Sequence, residues 1–160
     1  MTDQSTPKSE GEHLLYFYRK LSDAYLNTLR NLSDDELNWY PPAQQGNSLY
    51  AIAYHAISAA HWWLNVALGN ITERDRISEF SAKGTFSTIE ERFKAWLRAA
   101  EQEIPPLTEA DYEAEHIARG RIQTTRQALY RTLEHLSLHL GHIEITLQWM
   151  ERNQRAESIH

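Results

Sequence analysis

A chain of 160 residues with formal net charge -6, 41% hydrophobic residues and no cysteine is long enough to bury its own core, and it excludes thiol nucleophiles, thiolate metal ligands and iron–sulfur chemistry. Its acidic balance, with no Lys/Arg cluster, argues against nucleic acid as a partner, and no apolar run reaches the roughly 18 residues of a membrane span. The polar start "MTDQSTPKSEGEH" carries no apolar leader, so a soluble, cytoplasmic protein is expected.

In chain order, the first helix is expected from Glu10 to Asn31, where Leu14, Tyr18, Leu21, Tyr25 and Leu29 recur at three- and four-residue steps as one apolar stripe. Pro41 and Pro42 interrupt helix, and Asn47 or Ser48 can cap the second, from Ser48 to Leu68. The third is expected from Ser87, with Glu90 completing a capping-box pattern, up to Pro105 and Pro106, burying Ile89, Phe93, Trp96 and Leu97. Thr124 and Gln127 open the fourth in the same way, and it runs to Met150 or just beyond. No β-hairpin signature is visible, and "FSAKGTFS" is the one place for a short extended piece. The reading is a single all-α domain over 1–160, a four-helix bundle with long, crossover-permitting connections and flexible tails at about 1–9 and 153–160.

The last helix contains "TLEHLSLHLGHIEITLQWM". At about 100° per residue, His139 projects about 40° to one side of His135 and His142 about 20° to the other, so all three share a face. Leu133, Leu136, Leu140, Ile143 and Leu147 flank that face. Imidazoles in such company need a partner for each nitrogen, and a metal ion supplies one. An isolated HxxxH more often reflects surface chance or a hydrogen-bonded core pair; a third, distant ligand shifts the balance. His55 in the second helix aligns with Ile52, Ala59, Trp62 and Val66 and is the first candidate, with His61 the second choice or a pocket-rim group. Three neutral imidazoles from two helices form a tripod with positions open to water or substrate, as in catalytic sites. Zinc and nickel fit, and iron and manganese are compatible. His142 is a fourth ligand or a hydrogen-bond partner behind one, and Gly141 is expected where a helix or ligand comes near. Tyr50, Tyr54, Trp62, Trp63 and Arg131 are candidates for the pocket wall, against the simpler reading of aromatic core and surface arginine. His13, His116 and His160 are expected in solvent, Glu134 and Glu144 face outward, and no carboxylate stands out as a general base.

Two stretches, "LSDDELNWYPPAQQGNSLYAIAYHAISAAHWWL" and "LEHLSLHLGHI", resemble the first loop with second helix, and the last-helix pattern HxxxHxGQ, of the DinB-like superfamily of metal-binding four-helix bundles. The resemblance covers residues 12–150. It implies the family's crossover topology and a metal triad of His55, His135 and His139. His142 stands where the family commonly has Gln, which alters the electrostatics near the metal. Members include transferases that join a low-molecular-weight thiol such as bacillithiol or mycothiol to an electrophile. The expected function is accordingly S-transfer from a thiol co-substrate to a small electrophile, through a divalent metal, zinc or nickel, that lowers the pKa of the incoming thiol. Hydrolysis of a small molecule is the alternative, and a non-catalytic metal-containing stress-response or ligand-binding bundle the rival class. A homodimer is expected, because 5 Trp and 8 Tyr are more than one small core covers.

Overall fold

Side-chain caps set most helix starts. In the computed structural model, which describes residues 8–41 and 46–158, Ser9 and Glu12 form a capping box ahead of α1 (Glu10–Leu29), and Ser33 and Glu36 repeat it for the short α2 (Asp34–Leu37). The Ser48 hydroxyl accepts from the Ala51 amide at the head of α3 (Leu49–Ala67), and Asp75 caps α4 (Arg76–Glu79). The next helix, α5 (Phe86–Glu103), begins earlier than expected, with Thr85 at its head and no side-chain cap. Ser87 already lies inside it, so the Glu90 amide that the expected Ser87–Glu90 box would use is already bonded within the helix. After α6 (Glu109–Tyr112), Thr124 and Gln127 form the expected box at the head of α7 (Thr125–Glu157). Pro42 and His160 lie outside the described residues.

Three expectations need correction. A β-hairpin is present: β1 (Glu115–Ala118) pairs antiparallel with β2 (Arg121–Thr124), with Glu115 opposite Thr124 and Ala118 opposite Arg121. Its two-residue turn places Arg119 at φ 53 and Gly120 at φ 72, the left-handed pair of a tight hairpin turn, in which Asn rather than Arg is the usual first residue. "FSAKGTFS" is no strand but a turn leading into α5. Finally, α7 continues through 153–157, where a tail was expected. That stretch has neither Gly nor Pro to stop it, and Asn153 donates to Glu157 across one turn (2.8 Å).

Directions follow from pairwise contacts. The Tyr18 and Tyr25 hydroxyls donate to the carbonyls of Leu129 (2.7 Å) and Leu136 (2.8 Å), each pair seven residues on from the last, so α1 and α7 run parallel. Tyr18 packs on Trp96 and Tyr25 on Phe93, both with ring centroids 4.8 Å apart, so α5 runs against α1. Thr125 donates to the Ala67 carbonyl (2.8 Å) at one end of α3 while His55, further back in the chain, faces His139; α3 therefore opposes α7. Going round the bundle, the order is α1, α5, α3, α7, with α1 and α3 on one diagonal and α5 and α7 on the other. This is the crossover arrangement. The neighbours α3 and α5 run parallel, so segment 68–85 must return along the bundle, roughly 28 Å for the 19 residues of α3.

The stripe of α1 buries Leu14, Tyr18, Tyr25 and Leu29, with Leu21 half-buried, and α5 buries Ile89, Phe93 and Trp96 with Leu97 half-buried. Burial pushes the Tyr18 and Tyr25 phenols well above their ordinary pKa. Asn38 brackets the Gly84 peptide, donating to its carbonyl (2.8 Å) and accepting from its amide (3.1 Å). A side chain at 84 would collide with the buried Tyr50 ring. Gly141 behaves differently: a Cβ there meets nothing within 4 Å, so no helix makes the close approach that was one of the two expectations at this glycine. Among the described residues, no helix is long and apolar enough to cross a membrane.

Urea denaturation tests these assignments. Gly84→Ala lowers stability by about 1–3 kcal/mol through overpacking, whereas Gly141→Ala raises it by about 0.5–1 kcal/mol, because an open helical site gains propensity without strain. Tyr25→Phe lowers it by about 0.5–1.5 kcal/mol, the net value of one buried hydrogen bond.

Candidate functional site

Small side chains along α3, Ala51, Ala56, Ala59 and Ala60, are buried and let neighbouring helices approach. Between them His55, 1% exposed, faces α7. There His135 and His139, one turn apart and half-buried, complete a cluster in which one ring nitrogen from each of the three lies within 4.8 Å of the others. Nε2 of His135 and Nε2 of His139 are 3.2 Å apart, and Nδ1 of His139 lies 3.2 Å from Nδ1 of the exposed His142.

The return segment 68–85 closes over the back of His55. Nδ1–H of His55 donates to Glu79 Oε2 (2.7 Å), and Glu79, itself 5% exposed, takes a two-pronged bond from Arg74, whose Nε lies 2.6 Å from Oε1. Arg74 also donates to the His55 carbonyl (3.1 Å), and the Phe80 ring stacks on His55 at 4.2 Å. With Nδ1 held by a carboxylate, the tautomer is set and Nε2 of His55 keeps its lone pair for the cluster.

Burial depresses all three histidines. Desolvation, followed by the neighbouring imidazoles, brings His135 down to about 3 and His139 to about 4. His55 is also lowered, desolvation outweighing the hydrogen bond to Glu79. At neutral pH the cluster is three uncharged imidazoles, the form in which histidine binds metal. Nδ1 of His135 is buried without a partner among the described residues, and its Nε2 meets only another imidazole. With their protons on Nδ1, the converging Nε2 lone pairs of His135 and His139, beside that of His55, fit a divalent cation.

Other expected site residues lie elsewhere. His61 donates to the Arg92 carbonyl (3.2 Å). His116, expected in solvent, is instead half-buried and donates to Thr125, whose own proton goes to Ala67. Tyr54 stacks on Tyr50 beneath the Arg92 guanidinium, on the α5 side of α3. Trp62 packs beside Trp63, gives its indole N–H to the Thr72 carbonyl (2.7 Å) and lies under Arg119. Arg131 is on the surface, paired with Glu134. None of these belongs to the cavity of about 390 Å³ that adjoins the cluster at His139 and His142. Conversely, Glu79, Arg74 and Phe80 were not legible as site residues. Their one local signal is the Asp75 cap, which turns part of a charged connection into a helical turn ending at Glu79.

A sequence model of the DinB superfamily matches residues 18–143. Among solved structures, YjoA, a DinB-like protein of Bacillus subtilis, is similar with a TM-score of 0.67 at 20% identity, over 87% of this chain and 92% of that one. YfiT of Bacillus subtilis, described as a probable metal-dependent hydrolase with an unusual four-helix bundle topology, gives a TM-score of 0.65 at 16% identity, over 94% and 93%. No curated protein matches. At these identities the structural likeness is one of fold, and it agrees with the crossed bundle built up above. With the sequence match spanning 18–143, from the middle of α1 to beyond the last histidine of the cluster, the chain belongs to the DinB superfamily.

Proposed function

We propose that His55, His135 and His139 hold a divalent cation, zinc or nickel by donor chemistry, and that the protein is a metal-dependent enzyme hydrolysing a small ester or amide. The observation that carries this reading is the cluster of three uncharged ring nitrogens, with His55 oriented by a buried carboxylate. When bound, the cation supplies Lewis acidity, which polarises a carbonyl and lowers the pKa of a coordinated water. Glu79 holds the His55 ring in place. His142 accepts from Nδ1–H of His139 when Nε2 of His139 faces the cation, fixing that tautomer as well. Phe80 covers His55 and keeps water from its far side. The cavity beside His139 gives a substrate room that a purely structural metal site does not need. The likeness to YfiT, described as a probable metal-dependent hydrolase, supports the same reaction class.

One feature favours a second reading, thiol transfer to a small electrophile. Glu79 is committed to His55 and Arg74, and among the described residues no other carboxylate joins the cluster. A thiol ionises far more readily than water and has less need of a general base. The chain has no cysteine, so that thiol is a co-substrate.

Elemental analysis of untagged protein reconstituted with zinc or nickel is expected to find about one equivalent of metal, and none in a His55→Ala, His135→Ala double variant. Glu79→Gln, folded by circular dichroism, binds the metal about 10- to 100-fold more weakly. Failure of the unaltered protein to take up either metal would sink the reading. Loaded protein is then assayed on neutral esters and amides, and on electrophiles with and without added thiol; turnover that requires the thiol selects the second reaction.

A further inference from the structure

We infer that the cavity beside the histidine cluster takes the uncharged, apolar body of a small molecule whose polar head faces His139. The head's position rests on the metal reading above; the body's chemistry rests on the cavity itself. Four apolar side chains form its walls: Ile52 from α3, Phe80 from the return segment, and Ile145 and Trp149 from α7. Ile145 and Trp149 are 51% and 44% exposed, apolar surface one helical turn apart that borders the histidine-bearing face of α7 on its His142 side. At about 390 Å³ the space matches a ligand of one or two rings.

Selectivity comes from what the walls lack. Among the described residues no Lys, Arg, Asp or Glu lines this cavity; its polar groups besides the histidines are neutral, Asn47 and Thr146. A carboxylate or ammonium on the body of the ligand would lose its hydration without finding a partner. A neutral aromatic or branched aliphatic group loses nothing and buries apolar area against Phe80, Ile145 and Trp149. The contrast with the cavity under Trp62 is direct, since Glu73, Arg74 and Arg119 line that one. Asn47 and Thr146 can each hydrogen-bond an ether, amide or hydroxyl on the ligand, which orients it without demanding charge.

The test has a metal-free arm and a loaded arm, both read by NMR from the Trp149 indole and the Ile145 and Thr146 amides. Naphthol and naphthoate are titrated into metal-free protein, and benzohydroxamic and acetohydroxamic acids into zinc-loaded protein. Naphthol is expected to shift these signals and to bind at least about tenfold more tightly than naphthoate, with Ile145→Ala and Trp149→Ala each weakening it several-fold. Benzohydroxamic acid is expected to exceed acetohydroxamic acid by about tenfold, and the same variants to leave acetohydroxamic acid unchanged. Naphthoate binding as tightly as naphthol, or shifts mapping away from Trp149 and Ile145, would overturn the inference whatever the metal does. Naphthol bound as expected in a protein that takes up no zinc supports the cavity's assignment and overturns the proposed function alone.

Discussion

Everything about the site depends on the parallel packing of α3 against α5. Antiparallel neighbours can be joined by a short turn, but parallel neighbours oblige the chain to travel back the length of a helix. Segment 68–85 makes that journey, and it is fastened along the way. The Trp62 indole holds the Thr72 carbonyl, Arg74 reaches the His55 carbonyl, Tyr40 donates to the Phe80 carbonyl (3.2 Å), and Asn38 brackets Gly84. A connection of this length with so little regular structure is an entropic burden, and here its contacts place a carboxylate behind His55. An up-and-down bundle of the same four helices would have no segment in that position.

The electrostatics of Glu79 explain why it arrives with Arg74. An unpaired carboxylate at 5% exposure is strongly disfavoured. The guanidinium offsets that cost through two hydrogen bonds and cancels the formal charge, so the carboxylate can orient His55 without adding net negative charge beside the cluster. On the proposed reading, three neutral imidazoles backed by a neutralised ion pair would leave the full positive charge of a divalent cation available to polarise a substrate. A carboxylate in the ligand set itself would diminish it. The same neutrality extends to the cavity walls, so the cation would be the dominant charge that a substrate meets.

The sequence disclosed what local chemistry encodes. The Thr124–Gln127 capping box follows from its spacing, although the same spacing at Ser87 and Glu90 falls inside a helix, and the stripes Leu14–Leu29 and Ile89–Trp96 follow from helical period. The shared face of His135, His139 and His142 is likewise a property of one helix. His55 was selectable because its own face is apolar, although its meeting with α7 is tertiary. Glu79 and Phe80 could not be read in this way: their role is created by where a connection lies, and nothing in "ITERDRISEF" fixes that path. Tyr54, Trp62 and Arg131 are placed by tertiary packing away from the cavity beside the histidines: Tyr54 toward α5, Trp62 against Trp63, and Arg131 at the surface with Glu134. The hairpin at 115–124 escaped notice because its turn uses Arg119 where Asn or Gly would have announced it.

The cavity, too, has a cause in helix lengths. His55 faces His135 and His139, and α3 begins only six residues earlier, at Leu49, about 9 Å away at the helical rise. Because α7 runs the opposite way, the head of α3 comes level with it near Ile143, and α7 continues to Glu157. The face that is core at Ala128 and Thr132, and histidine-bearing at His135 and His139, stays covered at Thr146 and Met150, but its edge on the His142 side is left open. Ile145 and Trp149 stand on that open edge, beside the buried Ile52 and the half-buried Phe80. Had α3 started two turns earlier, that edge would have been covered as well. The mismatch between these two helices thus sets both where the cavity opens and how far α7 can wall it.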